Sequence, residues 1–303
     1  MDFFAELVPV FLNTLLPVFL VAGAGFLLAG RFHIDARSTG RILFYLCTPS
    51  LVFRSLYQME GALEQLQHLA VITVSVTLAA ILLGWLAGWG QERQMRAAIT
   101  LTSGISNNGN MGMPIALFAF GQAGLGIASV YFVVSSMMSN TLGVFIASAG
   151  RLHFWAALRQ SFSAPVPYAA VAGLLCNYYQ LQVPTPIFES VNLLANAAVP
   201  IMLVVLGVQL HAVPRGEQLP LIARPVLIRL VVAPLLSLGL CILLGVTGLT
   251  RDVFILQAAM PTAVMTSVLA TEFEAAPRFV AAVVFYCTVA SMVTLSVVLT
   301  LLR

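Results

Sequence analysis

Three asparagines fall within four residues at Asn107, Asn108 and Asn110, set among Ser106, Gly109, Met111, Gly112, Met113 and Pro114 in an otherwise apolar stretch. An unsatisfied amide in hydrocarbon costs roughly 2 to 7 kcal/mol, and backbone without helical hydrogen bonds persists at bilayer depth only inside protein or beside a cavity. Capping a broken helix end accounts for one or two of these amides but not for three. Asn108 and Asn110, two positions apart, do not share a helical face. The run therefore reads as the lining of a site for a solute, with at least one amide reaching the cavity.

A second, sparser set lies late in the chain, where Gln257, Met260, Pro261 and Thr262 surround another interruption. Gln257 is its one strongly polar side chain and is expected as a ligand or a network partner. Met113 and Met260 each precede a proline and either meet the solute or pack in the core. Asn140 adds a mid-span amide whose bland alternative is an interhelical hydrogen bond. Asn192 and Asn196, one turn apart, read as glue between helices. Arg229 lies five residues beyond Arg224, about 7.5 Å deeper at the helical rise. It has two readings: capping of carbonyls or snorkelling to the interface, and pairing with an anionic solute.

The elements that position these residues follow from composition. The 303 residues are 60% hydrophobic and 8% charged, and the net charge of +3 comes from 14 Arg set against 11 acids, with no Lys. A mean hydropathy of +0.99 is far outside the range of a soluble domain. The arginines sit between apolar segments, a topology signal that excludes a nucleic-acid patch. Cys47, Cys176, Cys241 and Cys287 show no paired spacing, so no disulfide framework and no zinc site is expected. With Asp2 and Glu6 where a signal peptide would be basic, the first apolar stretch is expected to be retained.

Apolar windows at 3–29, 37–57, 66–89, 97–120, 123–148, 165–182, 188–210, 220–246, 250–271 and 278–302 predict ten membrane spans. Arg31, Arg37, Arg41, Arg93, Arg96, Arg151, Arg159, Arg215, Arg224 and Arg278 fall on one side, and Arg54, Arg251 and Arg303 on the other. Basic residues in short loops favour the cytoplasm, so both termini are expected on the non-cytoplasmic face. His33, His68, His153 and His211 fall in loops or at span ends and are expected at the surface.

Pro17 pairs with Pro167, Pro49 with Pro200 and Pro114 with Pro261 at nearly one offset, which reveals an internal repeat. Five spans per half is an odd number, so the halves, 1–150 and 151–303, enter the membrane from opposite sides. Gly109, Gly112, Pro114 and Pro261 are expected to break spans four and nine, since proline removes a backbone donor and clashes with the carbonyl four residues back. Half-helix N-termini carry partial positive charge, and two of them aimed at one point favour an anion.

The Asn107–Pro114 run resembles the fourth-span signature of auxin efflux carrier family transporters. Leu46 to Phe53 with Pro49, Pro200 to Leu210 with Gly207, and Gln257 to Pro261 are similar to further family features in the right order, so the likeness covers nearly the whole chain. It implies an all-α integral membrane fold of ten helices in two inverted five-helix repeats, shared with bile-acid sodium symporters, with broken helices four and nine crossing. Spans 1, 2, 6 and 7 would form a scaffold and spans 3–5 and 8–10 a moving transport domain of elevator type. It further implies carriage of small organic anions, indole-3-acetate in plant members and malonate or malate in bacterial ones. A homodimer through the scaffold is implied too. Plant members carry a long insert between spans five and six, and the short Gly150 to Ala164 connection fits a bacterial member of the inner membrane.

The site residues expected on this basis are Asn107, Asn108, Gly109, Asn110, Met113, Pro114, Asn140, Gln257, Met260, Pro261 and Thr262, with Arg229 as an anion partner. No cofactor or metal is expected. No Asp or Glu stands in mid-span, so the acidic ligands of a tightly held sodium ion are missing, and potential-driven efflux is preferred to sodium-coupled symport. An enzyme or sensor would need a paired-histidine metal motif, a Gly-x-Ser-x-Gly elbow or an appended domain, none of which the chain contains.

Overall fold

The computed structural model describes residues 3–59, 66–149, 155, 158–159, 162–211 and 219–302. Asp2, Arg151, His153, Arg215 and Arg303, used above for topology, lie outside these. The regular elements described are helices: α1 (residues 3–31), α2 (36–57), α3 (Leu66–Ala87), α4 (Arg93–Gly104), α5 (108–120), α6 (122–147), α7 (Pro165–Tyr178), α8 (Thr185–His211), α9 (219–243), α10 (Gly248–Ala258), α11 (Met265–Glu272) and α12 (Pro277–Leu301). Among the described residues six helical runs are long and apolar enough to cross a bilayer: Leu7–Arg31, Gln67–Ala87, Asn108–Ala147, Thr185–His211, Pro220–Leu243 and Pro277–Leu301. Their outward faces carry large apolar side chains such as Leu20, Leu27, Leu193, Leu243 and Val293, which only lipid would cover without cost.

Asn108–Ala147 is 40 residues long, about 60 Å at the helical rise, twice the hydrocarbon thickness. It turns at Gly121, whose φ of 66° is left-handed. No atom lies within 4 Å of where a Cβ would be, so conformation and not space requires glycine there.

Prolines inside the helices are absorbed in a repeated way. The residues before Pro17, Pro49, Pro114 and Pro234 donate their amides to carbonyls five residues back: Leu16 to Phe11, Thr48 to Leu43, Met113 to Asn108 and Ala233 to Ile228. Each helix thus widens into one π-type turn just before the proline, which relieves the ring's clash without ending the helix. A fifth such turn, Ser139–Gly143, holds Asn140 in α6.

Close helix contacts use small residues. A Cβ on Gly207 of α8 would lie 1.8 Å from the Ala22 carbonyl oxygen of α1, and one on Gly25 would lie 2.3 Å from that of Val204. α7 meets α2 through Gly173 against the Phe53 carbonyl, and α3 meets α4 through Gly84 against Ser103. Without a hydrophobic force between helices in lipid, such backbone approach supplies the packing. Between α2 and α8 the contact is polar: Arg54 Nη1 donates to Asn192 Oδ1 at 2.7 Å and to Asn196 Oδ1 at 2.5 Å. Asn192 and Asn196 therefore do join helices, while Arg54, counted above as a flanking charge, is buried within α2. Cys47, Cys241 and Cys287 are buried free thiols, and Cys176 is half-buried. His33 and His211 are exposed, His211 with its ring edge-on to Phe26, whereas His68 is half-buried.

Candidate functional site

The chain leaves helical geometry twice in the interior, at 105–107 between α4 and α5 and at 259–264 between α10 and α11. The two extended pieces run antiparallel across each other. Asn107 N–H donates to the Pro261 carbonyl at 2.8 Å and Ala263 N–H to that of Ile105 at 3.0 Å, so that Ser106 pairs with Thr262. This bridge is the β-pairing described, and it places four helix ends around one point.

A helix end buried in a membrane must find partners for its last carbonyls. At the end of α4, Leu101 accepts from Ile105 N–H, Thr102 accepts from Thr262 Oγ1 at 2.8 Å and Ser103 accepts from Arg229 Nη1 at 3.4 Å. At the end of α10, the Gln257 carbonyl accepts from Asn108 Nδ2 at 2.8 Å and the Ala258 carbonyl from Arg229 Nη2 at 2.7 Å. Arg229 also reaches the Met260 carbonyl through Nε and Nη2, at 3.3 and 3.2 Å. Arg229, within the widened turn of α9, is 1% exposed. Of its two readings the structure shows carbonyl capping: all three of its nitrogens face backbone oxygens.

Asn108 and Gln257 are the side-chain centre of the crossing. Asn108 Nδ2 also donates to Gln257 Oε1 at 3.0 Å, and Asn108 Oδ1 accepts from the Ser106 hydroxyl. Gln257 is packed on Gly112, where a Cβ would lie 2.3 Å from Gln257 Oε1. At the crossing two buried donors, Asn107 Nδ2 and Gln257 Nε2, have no acceptor among the described residues, although their residues are only 5% and 0% exposed. Buried amide donors in native proteins are paired in the great majority, which sets these two apart within the crossing. Beside them α5 starts at Asn108, which brings the positive end of its dipole to the crossing.

Asn110 and Asn140 are half-buried, on α5 and α6. Met113 and Met260 are fully buried among core side chains with Ile115 and Phe254. Pro261 lies in the second interruption and Thr262 is spent on α4. Gly109, Gly112 and Pro114 do not sit at the first interruption. It comes earlier, at Ile105–Asn107, and the widened turn Asn108–Gly112 carries Pro114 inside α5. Gly109 instead leaves room for the Phe132 ring, 2.8 Å from where its Cβ would be. The Pro114–Pro261 match is accordingly not the register of the crossing, in which Thr262 pairs with Ser106. Sequence reasoning missed Ser106 as an anchor for Asn108, and the carbonyls of Thr102 and Ser103. Ser106 stands in the polar run but was given no role there, whereas backbone oxygens leave no side-chain signal.

Apolar helices with lipid-facing exteriors, crossed at a buried polar junction with unfilled donors, define an integral membrane protein with an internal polar site. Residues 10–299 match the model of a family described as membrane transport protein. The chain belongs to that family, the auxin efflux carrier family, and is a membrane transporter rather than an enzyme. An uncharacterised transporter of Methanothermobacter thermautotrophicus is 28% identical over 273 residues, covering 86% of this chain and 87% of the relative. One of Methanocaldococcus jannaschii is 24% identical over 273 residues, covering 86% and 88%. Both similar proteins are archaeal.

Proposed function

We propose that this transporter is a secondary carrier of small carboxylate anions, held at the crossing by Asn107, Gln257 and the first turn of α5. The observation that carries this reading is the pair of buried amide donors, Asn107 Nδ2 and Gln257 Nε2, left without acceptors next to a helix N-terminus. A carboxylate supplies acceptor oxygens and the negative charge that the dipole favours. Asn110 and Asn140 line the approach.

On this reading α4 with α5 and α10 with α11 are spans four and nine, each broken in mid-membrane, and the chain makes ten crossings in two inverted five-span repeats, 1–150 and 151–303. The tight backbone packing of α1 on α8 and of α7 on α2 supports a rigid scaffold from spans 1, 2, 6 and 7. The remaining spans carry the crossing past it as an elevator. The scaffold's outer face pairs two copies as a homodimer, both termini lie outside the cytoplasm, and the host membrane is a bacterial inner membrane.

The test is thermal shift of purified protein against a panel of dicarboxylates and aromatic acids, for wild type, Asn107→Ala and Asn110→Ala. At least one acid should raise the melting temperature of the wild type, and Asn107→Ala should lose most of that shift. Unchanged shifts in both variants would remove the crossing as the binding site.

A further inference from the structure

Arg229 carries a full positive charge into the interior with no carboxylate beside it. Among the described residues the one ion pair joins Arg251 to Asp252, far along the chain from Arg229 and on another helix. A buried charge is tolerated only where paired or richly hydrogen-bonded. Here the hydrogen-bond partners described are backbone oxygens, of Ser103 of α4, Ala258 of α10 and Met260 just beyond it, with Tyr131 and Cys287 as electrostatic neighbours. Both helices end at the crossing, so their dipoles direct two partial negative charges toward the guanidinium. A cage of converging backbone carbonyls is the ligand set by which proteins hold hard metal cations.

We propose that Arg229 is a tethered cation: its guanidinium fills a carbonyl cage at the helix crossing that would otherwise require a dissolved cation. Three consequences follow from the geometry. The ends of α4 and α10 are joined permanently, because the cation cannot diffuse away. The crossing needs no sodium for its integrity. A fixed positive charge stands behind the extended segments, and it favours an anionic cargo by field without touching it, since its nitrogens are committed to carbonyls. The last consequence rests on the carrier reading above; the first two do not. Arginine suits the task better than lysine because its planar fork reaches several oxygens at once and stays charged when buried.

The experiment measures melting of the detergent-purified full chain at equal ionic strength in choline, sodium or millimolar guanidinium chloride. Wild type should melt at the same temperature in all three. Arg229→Ala, with the cage vacated, should melt several degrees lower in choline, recover most of the loss in guanidinium and part of it in sodium. A variant that melts like wild type in choline, or equally low in all three salts, overturns the proposal. Arg229→Lys and Arg229→Met keep the idea testable if the alanine variant does not accumulate. Lysine retains charge and methionine retains volume, so a lysine variant that accumulates or melts above the methionine variant supports a tethered cation. Methionine at or above lysine would make Arg229 a space-filler. These readings involve no cargo, so the carrier proposal can fail while they succeed, and the reverse.

Discussion

Asn108 of α5 caps α10 by donating to the Gln257 carbonyl, and Thr262, just before α11, caps α4 by donating to the Thr102 carbonyl. Asn108 follows the first interruption and Thr262 lies within the second, and each closes the helix that precedes the other interruption. The two interruptions are thus interlocked by reciprocal capping as well as by the Ser106–Thr262 bridge. Neither half completes its hydrogen bonds alone, so the crossing is a single cooperative unit.

Breaking one of these caps exposes that coupling. Asn108→Ala leaves the Gln257 carbonyl with only the Met260 N–H at 3.3 Å and leaves Oε1 without its donor, and an orphaned buried acceptor costs about 1–3 kcal/mol. Gln257→Ala removes Oε1 but leaves the backbone carbonyl for Asn108. Melting temperatures of the two single variants and the double variant should therefore fall short of additivity, with an interaction energy of about 0.5–3 kcal/mol. Strict additivity would mean that the two amides act independently.

Much of this was legible in the sequence and some was not. Hydropathy located the helices because a bilayer forces about 20 apolar residues per span, and Asn107 to Pro114 stood out because amides are scarce there. The prolines predict that the two polar runs meet; Pro261 does mark its interruption, whereas Pro114 does not mark the other. Pro114 is absorbed by a π-type turn, a backbone response with no residue signature beyond the proline itself, so the true interruption lay at Ile105–Asn107 instead. Arg229 could be read two ways because its partners are carbonyls of Ser103, Ala258 and Met260, which look like any others in a one-dimensional chain. The partners of Arg54 are hidden in the sequence for a similar reason: only the packing of α2 on α8 brings Asn192 and Asn196 to it.

That second buried arginine gives its own test. Arg54→Met removes two hydrogen bonds from a charged donor, each of the kind worth about 1.5–3 kcal/mol, while methionine retains much of the volume. Net destabilisation of about 1–3 kcal/mol is expected in chemical or thermal melts. Replacing Asn192 and Asn196 together by alanine should cost more than Arg54→Met, because a buried guanidinium would then be left with neither acceptor.

Glycine substitutions separate close packing from mere helix interior. Gly207→Ala places a Cβ 1.8 Å from a backbone oxygen of α1, which no rotamer change can relieve, so the α1–α8 contact must open. Loss of several degrees in melting, or failure to accumulate, is expected. Gly23→Ala and Gly239→Ala have open space and gain helix propensity of up to about 1 kcal/mol. They should melt at or above wild type. Gly112→Ala stands between, since the Cβ meets the movable end of Gln257. It should lower stability modestly and weaken any carboxylate shift, because Gln257 leaves its place beside Asn108.

Energy coupling can be read from flux. No Asp or Glu takes part in the hydrogen bonds described at the crossing, and the carbonyls at its heart are already occupied by Arg229. An exported monovalent anion gains about 2.3 kcal/mol per 100 mV of inside-negative potential without any co-ion. Proteoliposomes loaded with a labelled acid identified by thermal shift should therefore release it at the same rate in sodium and in choline. An imposed inside-negative potential should accelerate release, and collapsing that potential should abolish the acceleration. A rate that collapses in choline would assign the chain to sodium-coupled symport, and would require a cation site elsewhere than the cage that Arg229 fills.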